Sequence, residues 1–108
     1  MYAFLRRYEG INPGDVDEVF RRVNDGFVPI LEQTRGFRGY WAIRADEGVI
    51  ASVTLFDDRS GAEESQQKAA GFVREHLAAL LPNPPQITSG EAVVARVGVQ
   101  DGTPVPLG

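Results

Sequence analysis

The chain has no cysteine and only one histidine, one tryptophan and one methionine among its 108 residues. Without thiols there is no disulfide framework, no thiolate nucleophile and no zinc ribbon. A lone histidine leaves no His-based metal centre unless carboxylates or a second chain complete it, so no metal ligand set is assigned. Long apolar runs are missing as well. None approaches the ~20 residues needed to cross a bilayer, and "MYAFLRRYEG" at the N-terminus lacks a signal-peptide core. A cytoplasmic protein with no membrane partner is therefore expected. Positive charge is scarce: 11 basic residues stand against 15 acidic ones, for a net charge of -4. Arg6, Arg7, Arg38, Arg44 and Arg96 recur on candidate strands, but they are too dispersed for the concentrated basic face that nucleic acid requires. The phosphate-binding glycine loops, the Ser-His-Asp order and the H-E-x-x-H pattern are all absent.

What is present is an alternation of periods. "YAFLRRY" (2–8) is short and aromatic-rich, and "EGINPGD" ends it, which predicts a first strand. Asn12-Pro13 is a helix-start signal. Val16, Val19, Phe20, Val23, Phe27, Ile30 and Leu31 follow at steps of three and four, one apolar stripe on one helix face. Pro29 cannot donate to the carbonyl of Asp25, so a kink or a break into two short helices is expected there. Gly36 stands where a left-handed cap turns the chain, and strands are predicted over 37–44 and 49–56 around the hairpin turn "ADEG".

Ser60 and Glu63 read as a capping box opening a second helix, with Ala62, Ala69, Phe72, Val73, Leu77 and Leu80 on its stripe. "PNPP" ends it, and "EAVVARV" (91–97) reads as the fourth strand. Residues 98–108, "GVQDGTPVPLG", form a Gly/Pro-rich tail beyond a single domain over 1–97. The order β-α-β-β-α-β predicts an α+β, ferredoxin-like fold: a four-stranded antiparallel sheet with both helices on one face. The strands carry apolar residues on both parities; Ala51, Val53 and Leu55 alternate with Ile50 and Phe56. One sheet face is then left greasy and open, so a homodimer through that face is expected.

Five residues are singled out for chemistry. His76 shares a helical face with Phe72, Val73 and Leu80, and is expected to point inward, either as a base or ligand or as a core-edge histidine satisfied by a backbone carbonyl. Tyr40 and Trp41 alternate on the second strand, so one of them faces the helices; aromatics with a polar handle suit a planar ligand and suit packing equally. Arg6 is a candidate hydrogen-bond donor. Asn24, beside the Gly26–Pro29 irregularity, reaches either a cavity or the backbone groups the proline leaves unpaired. The acidic residues Asp57, Asp58, Glu63 and Glu64 lack a calcium-loop pattern and read as a solvated helix-start turn.

With this order, "NDGFVPILEQTRGFRGYW" (24–41) and "LFDDRSGAEES" (55–65) resemble the dimeric α/β-barrel proteins around the antibiotic biosynthesis monooxygenases, over residues 2 to about 97. The heme-degrading branch of that family carries an asparagine on the first strand, a tryptophan on the third and a histidine on the second helix. Here "YAFLRRY" has no asparagine and "VIASVTLF" no tryptophan, and only His76 has a counterpart. The resemblance thus implies the cofactor-independent oxygenase branch, which holds a phenolic polycycle, helps to deprotonate it, and lets the carbanion-like substrate meet O₂. Arg6, Tyr40, Trp41 and His76 would supply the base and donors. That reading requires a water-poor cavity on the order of a few hundred Å³ between sheet and helices, with His76 on its wall. The alternative, a non-catalytic small-ligand-binding or regulatory dimer of the same fold, requires a filled core with Trp41 and His76 packed; a purely structural dimeriser would have no cavity at all.

Overall fold

A computed structural model describes residues 1–98 and 104–106. Strand β1 (Tyr2–Tyr8) leads through Asn12, whose side chain accepts from the Gly14 N–H at 3.0 Å, into a single 3₁₀ turn and helix α1 (Val16–Arg22). Instead of a simple kink before Pro29, the chain makes a π-helical turn over Val23–Phe27 and resumes as α2 (Val28–Glu32). The Val28 N–H donates to the Val23 carbonyl, and the wider ring places Pro29 in the first turn of a new helix, where its missing donor costs nothing. Gly36 adopts φ +85°, the left-handed conformation expected of it. Its carbonyl accepts from the Asp57 N–H at 2.8 Å, which ties the end of the helical layer to the end of β3.

Strands β2 (Phe37–Arg44) and β3 (Ile50–Phe56) form the predicted hairpin. Helix α3 runs over Arg59–Phe72 and continues through a second π turn, Val73–Leu77. Its cap is Asp58 rather than Ser60. The Asp58 carboxylate accepts from the Gly61 N–H and the Ser60 hydroxyl, each at 3.0 Å, and the Gly61 bond with Ser60 holds its pKa below the usual carboxylate range. Asp58 is the last extended residue, so the helix starts before the expected capping box; Glu63 pairs instead with Arg59 at 2.7 Å.

The fourth strand is also displaced. β4 is Gln86–Glu91, "QITSGE", paired to β1 along Tyr2↔Glu91 to Arg7↔Gln86. The β-branched run 91–97 looks like the stronger strand, but an edge strand keeps one side unpaired, and here polar residues occupy it. Val93 and Val94 are instead 84% and 82% exposed. Beyond them β5 (Arg96–Gly98) pairs antiparallel with β6 (Pro104–Pro106); tail residues 99–103, 107 and 108 lie outside the described residues.

The sheet order is β2-β3-β1-β4, antiparallel throughout, which is the α+β ferredoxin-like architecture. The strand registers put Phe4, Arg6 and Tyr8 of β1 and Ile50, Ser52, Thr54 and Phe56 of β3 on the helix-covered face. Leu31, Phe56 and Ala62 are completely enclosed there, and the two large side chains each contribute roughly 2 kcal/mol of burial. The opposite face carries Leu5, Trp41 and Ile43, each close to half exposed, with Val53 beside Leu5 and Trp41 on β3.

Candidate functional site

The helix-covered face has a polar centre. Along β3 the inward positions read Ile50, Ser52, Thr54, Phe56, so the two middle places are hydroxyls; Ser52 stands opposite Arg6 on β1 and opposite Ala42 on β2. Above them the α3 stripe is interrupted by Gln66. These groups surround a small, partly open chamber of about 50 Å³, roofed by Val19, Phe20 and Phe27 from the first helical layer and by Ala69, Phe72 and Leu77 from the second.

Arg6 enters the chamber from the floor. Its Nη1 donates to Gln66 Oε1 at 2.7 Å, and its guanidinium carbon lies 5.8 Å from the Tyr8 ring centroid. The Arg6 Nε–H is buried and meets no acceptor among the described residues. Tyr40 stands at the chamber's outer edge, its ring packed edge-on against Phe27 at 5.9 Å. Burial pushes its phenol pKa upward, and the neighbouring Ser52 hydroxyl partly offsets that rise.

Tyr40, Phe20, Val23 and Ala42 also bound a second, open space of about 580 Å³ along the free edge of β2. Asn24, Glu32, Phe37 and Trp41 also line this groove. The first π turn forms its helical lip: widening the helix there swings Asn24 to the groove while Phe27 stays in the core. Trp41 belongs to the open sheet face, 48% exposed, with its ring folded over Gly39; a Cβ on Gly39 would come within 2.7 Å of it. The structure thus brings Arg6 and Tyr40 together at the chamber, and Tyr40, Trp41 and Asn24 together at the groove.

His76 joins neither. In the second π turn Leu77, not His76, follows Phe72 into the core, because five residues rather than four separate successive inward positions. The histidine side chain is 55% exposed, its ring lies 4.8 Å from Phe72, and Nε2 is 3.8 Å from Glu75 Oε2. Its carbonyl accepts from Arg22 Nη1 at 2.7 Å. It lines an outer groove between the helices with Arg21, Arg22 and Gly26, away from Arg6 and Tyr40. The inward orientation expected of His76 is therefore corrected, and so is the size of the chamber, which falls far short of a few hundred Å³. Neither Trp41 nor His76 is packed as a filled core would require.

Four polar residues of the chamber were not among those singled out: Tyr8, Ser52, Thr54 and Gln66. Each had a legible signal, a polar side chain at the period of an otherwise apolar face. Of the acidic residues near the start of α3, Asp57 pairs with Arg38, Asp58 caps the helix, Glu63 pairs with Arg59 and Glu64 lies 3.7 Å from Lys68 Nζ. Among the described residues no helix is long and apolar enough to span a membrane.

No protein-family model matches the chain, and no curated protein is similar to it in sequence. Solved structures match it in fold. A protein of unknown function from Nitrosomonas europaea superposes with a TM-score of 0.76 at 20% identity, over 91% of this chain and 94% of that one. A monooxygenase of Streptomyces coelicolor, in complex with nanaomycin D, gives 0.73 at 13% identity over 91% and 92%. A structure named antibiotic biosynthesis monooxygenase gives 0.68 at 15% identity over 87% and 100%. At these identities the likeness is one of fold, and it is the fold that the resemblance implied.

Proposed function

We propose that this protein is an antibiotic biosynthesis monooxygenase-like enzyme that takes a small phenolic or polyketide-type aromatic at the groove and chamber joined by Tyr40. The observation that carries the reading is the shared wall: a mostly apolar groove, with Asn24 and Glu32 as its polar side chains among the described residues, is large enough for an aromatic ring system and abuts a chamber whose polar side chains, among the same residues, are Arg6, Tyr8, Tyr40, Ser52, Thr54 and Gln66. The ring lies along Phe20, Val23 and Trp41, and its oxygen-bearing end passes Tyr40. Loss of the phenolic proton leaves a carbanion-like ring carbon that reacts with O₂. The overall change converts an aromatic C–H para to a hydroxyl into a quinone carbonyl, with one oxygen atom retained in the product and the other released as water. No resident metal or flavin enters this scheme.

A non-catalytic ligand-binding dimer is the second reading, and the 50 Å³ chamber is the observation that favours it. In both readings a second copy of the chain covers the open sheet face, where Leu5, Trp41, Ile43 and Val53 adjoin. Oxygen uptake with a dihydroxynaphthalene in labelled O₂ separates the two. One labelled oxygen in the quinone, at one O₂ per product, supports the enzyme. Saturable binding without oxygen consumption supports the binder, and neither binding nor uptake removes both.

A further inference from the structure

Arg6 differs from the other arginines in combining partial burial with the lack of a carboxylate partner. Arg7, Arg21, Arg22, Arg38, Arg44 and Arg59 each sit beside a carboxylate, and Arg35, Arg74 and Arg96 are exposed to water. Arg6 has one side-chain partner among the described residues, and that partner is the neutral amide oxygen of Gln66. Among the described residues no aspartate or glutamate lines the chamber; Glu32 lines the adjoining groove. Among the same residues the two phenols, Tyr8 and Tyr40, are the only other titratable groups that face the chamber; the α1 and first π-turn contribution is apolar, and the α3 contribution is Gln66 with apolar neighbours. A guanidinium is always charged. Facing this chamber with no counter-ion among the described residues and with a buried Nε–H unpaired there, it leaves both a charge and a donor uncompensated.

We propose that the chamber is an oxyanion pocket: Arg6 binds the ligand's acidic phenol or enol oxygen in its ionised form, and Gln66 is the positioning residue that clamps the guanidinium. The inference rests on the ligand-binding reading above and specifies its chemistry. A volume of about 50 Å³ admits an oxygen and the carbon bearing it, not a ring, so the ligand body stays in the groove and only its head meets Arg6. Gln66 accepts at Nη1, which fixes the plane of the guanidinium where it lines the chamber. The phenolic proton leaves to solvent on binding, and no carboxylate is needed to receive it.

The test is a spectroscopic titration of bound para-nitrophenol, whose phenolate is yellow. On the wild-type protein its pKa is expected to fall by about one unit relative to the free probe, because a cation beside the oxygen favours the charged form. Arg6→Leu should abolish that fall or reverse it; Arg6→Lys should restore part of it. Gln66→Leu should keep binding and lose roughly half of the shift, which a merely structural role would not do. Far-UV circular dichroism confirms that each variant is folded. A folded Arg6→Leu protein that binds the probe with the wild-type shift overturns the proposal while leaving the ligand-binding reading intact. A wild-type shift without oxygen uptake by any phenol removes the oxygenase reading alone, and absence of probe binding to the wild type removes both.

Discussion

Leu5→Glu is the substitution that separates a paired sheet from a solitary one. Leu5 sits at the middle of β1 on the open face, between Val53 of β3 and Thr88 of β4, and is 45% exposed in the single chain. A single subunit loses little by the change, about 1 kcal/mol, since the carboxylate reaches water directly. In a face-to-face pair the arithmetic differs. The exposed part of Leu5 is worth roughly 1 kcal/mol per copy, and the exposed half of Trp41, about 100 Å², is worth roughly 2.5 kcal/mol more. A glutamate in that seam forfeits the first contribution and places an unpaired carboxylate in each half, at a cost of several kcal/mol apiece. Since about 4 kcal/mol is a thousandfold in Kd, the variant should dissociate completely. Sedimentation velocity over about 1–100 µM reads the result, and a Tm that rises with wild-type concentration corroborates it. The expected outcome is twice the subunit mass for the wild type and the single mass for a folded Leu5→Glu. A wild type that sediments as one subunit, or a variant that keeps the doubled mass, refutes the covered face.

Three further outcomes follow from packing, capping and charge. Leu31→Ala empties a fully enclosed position in the first helical layer and should cost about 3 kcal/mol, lowering Tm by roughly 15 °C in a scanning calorimeter. Asp58→Ala removes the cap of α3 and should lower Tm by about 5 °C, whereas Ser60→Ala should change it by less than half as much, in the reverse order to that expected of a Ser60 capping box. Glu18 is held at about 2 by its hydrogen bonds to Arg21 and Arg22, against an ordinary 4.5. A carboxylate depressed by folding lends stability that is complete above the unfolded value and is lost as pH falls through the folded one. Denaturant melts at pH values between about 4.5 and 2 should therefore show a shallower decline for Glu18→Gln than for the wild type, by a small margin because the pair is exposed.

How far the candidate site was legible follows from what each residue depends on. Arg6 and Tyr40 could be placed because a strand's period of two is rigid: once β1 and β2 are recognised, parity assigns their faces. Ser52, Thr54 and Gln66 carried the same information as polar interruptions of apolar faces. His76 misled because its orientation hangs on one inserted residue. A π turn changes the helical repeat locally; the first falls beside the irregularity marked by Gly26 and Pro29, whereas "FVREHL" bears no propensity mark for the second. The fourth strand misled because β-propensity reports a half-buried pleated surface, whereas β4 is an edge whose place is set by its pairing with β1.

By itself, then, the sequence determined the alternation of strands and helices, the turn at Gly36, the helix-covered core and the greasy second face of the sheet, all of which follow from local periodicity and from backbone preferences acting over a few residues. Only the tertiary structure decided where the polar centre lies, how small the chamber is, that Tyr40 stands between it and the groove, and that His76 is outside. Those features arise where residues far apart in the chain converge, and they depend on the helical register that packing selects, which local preference leaves open.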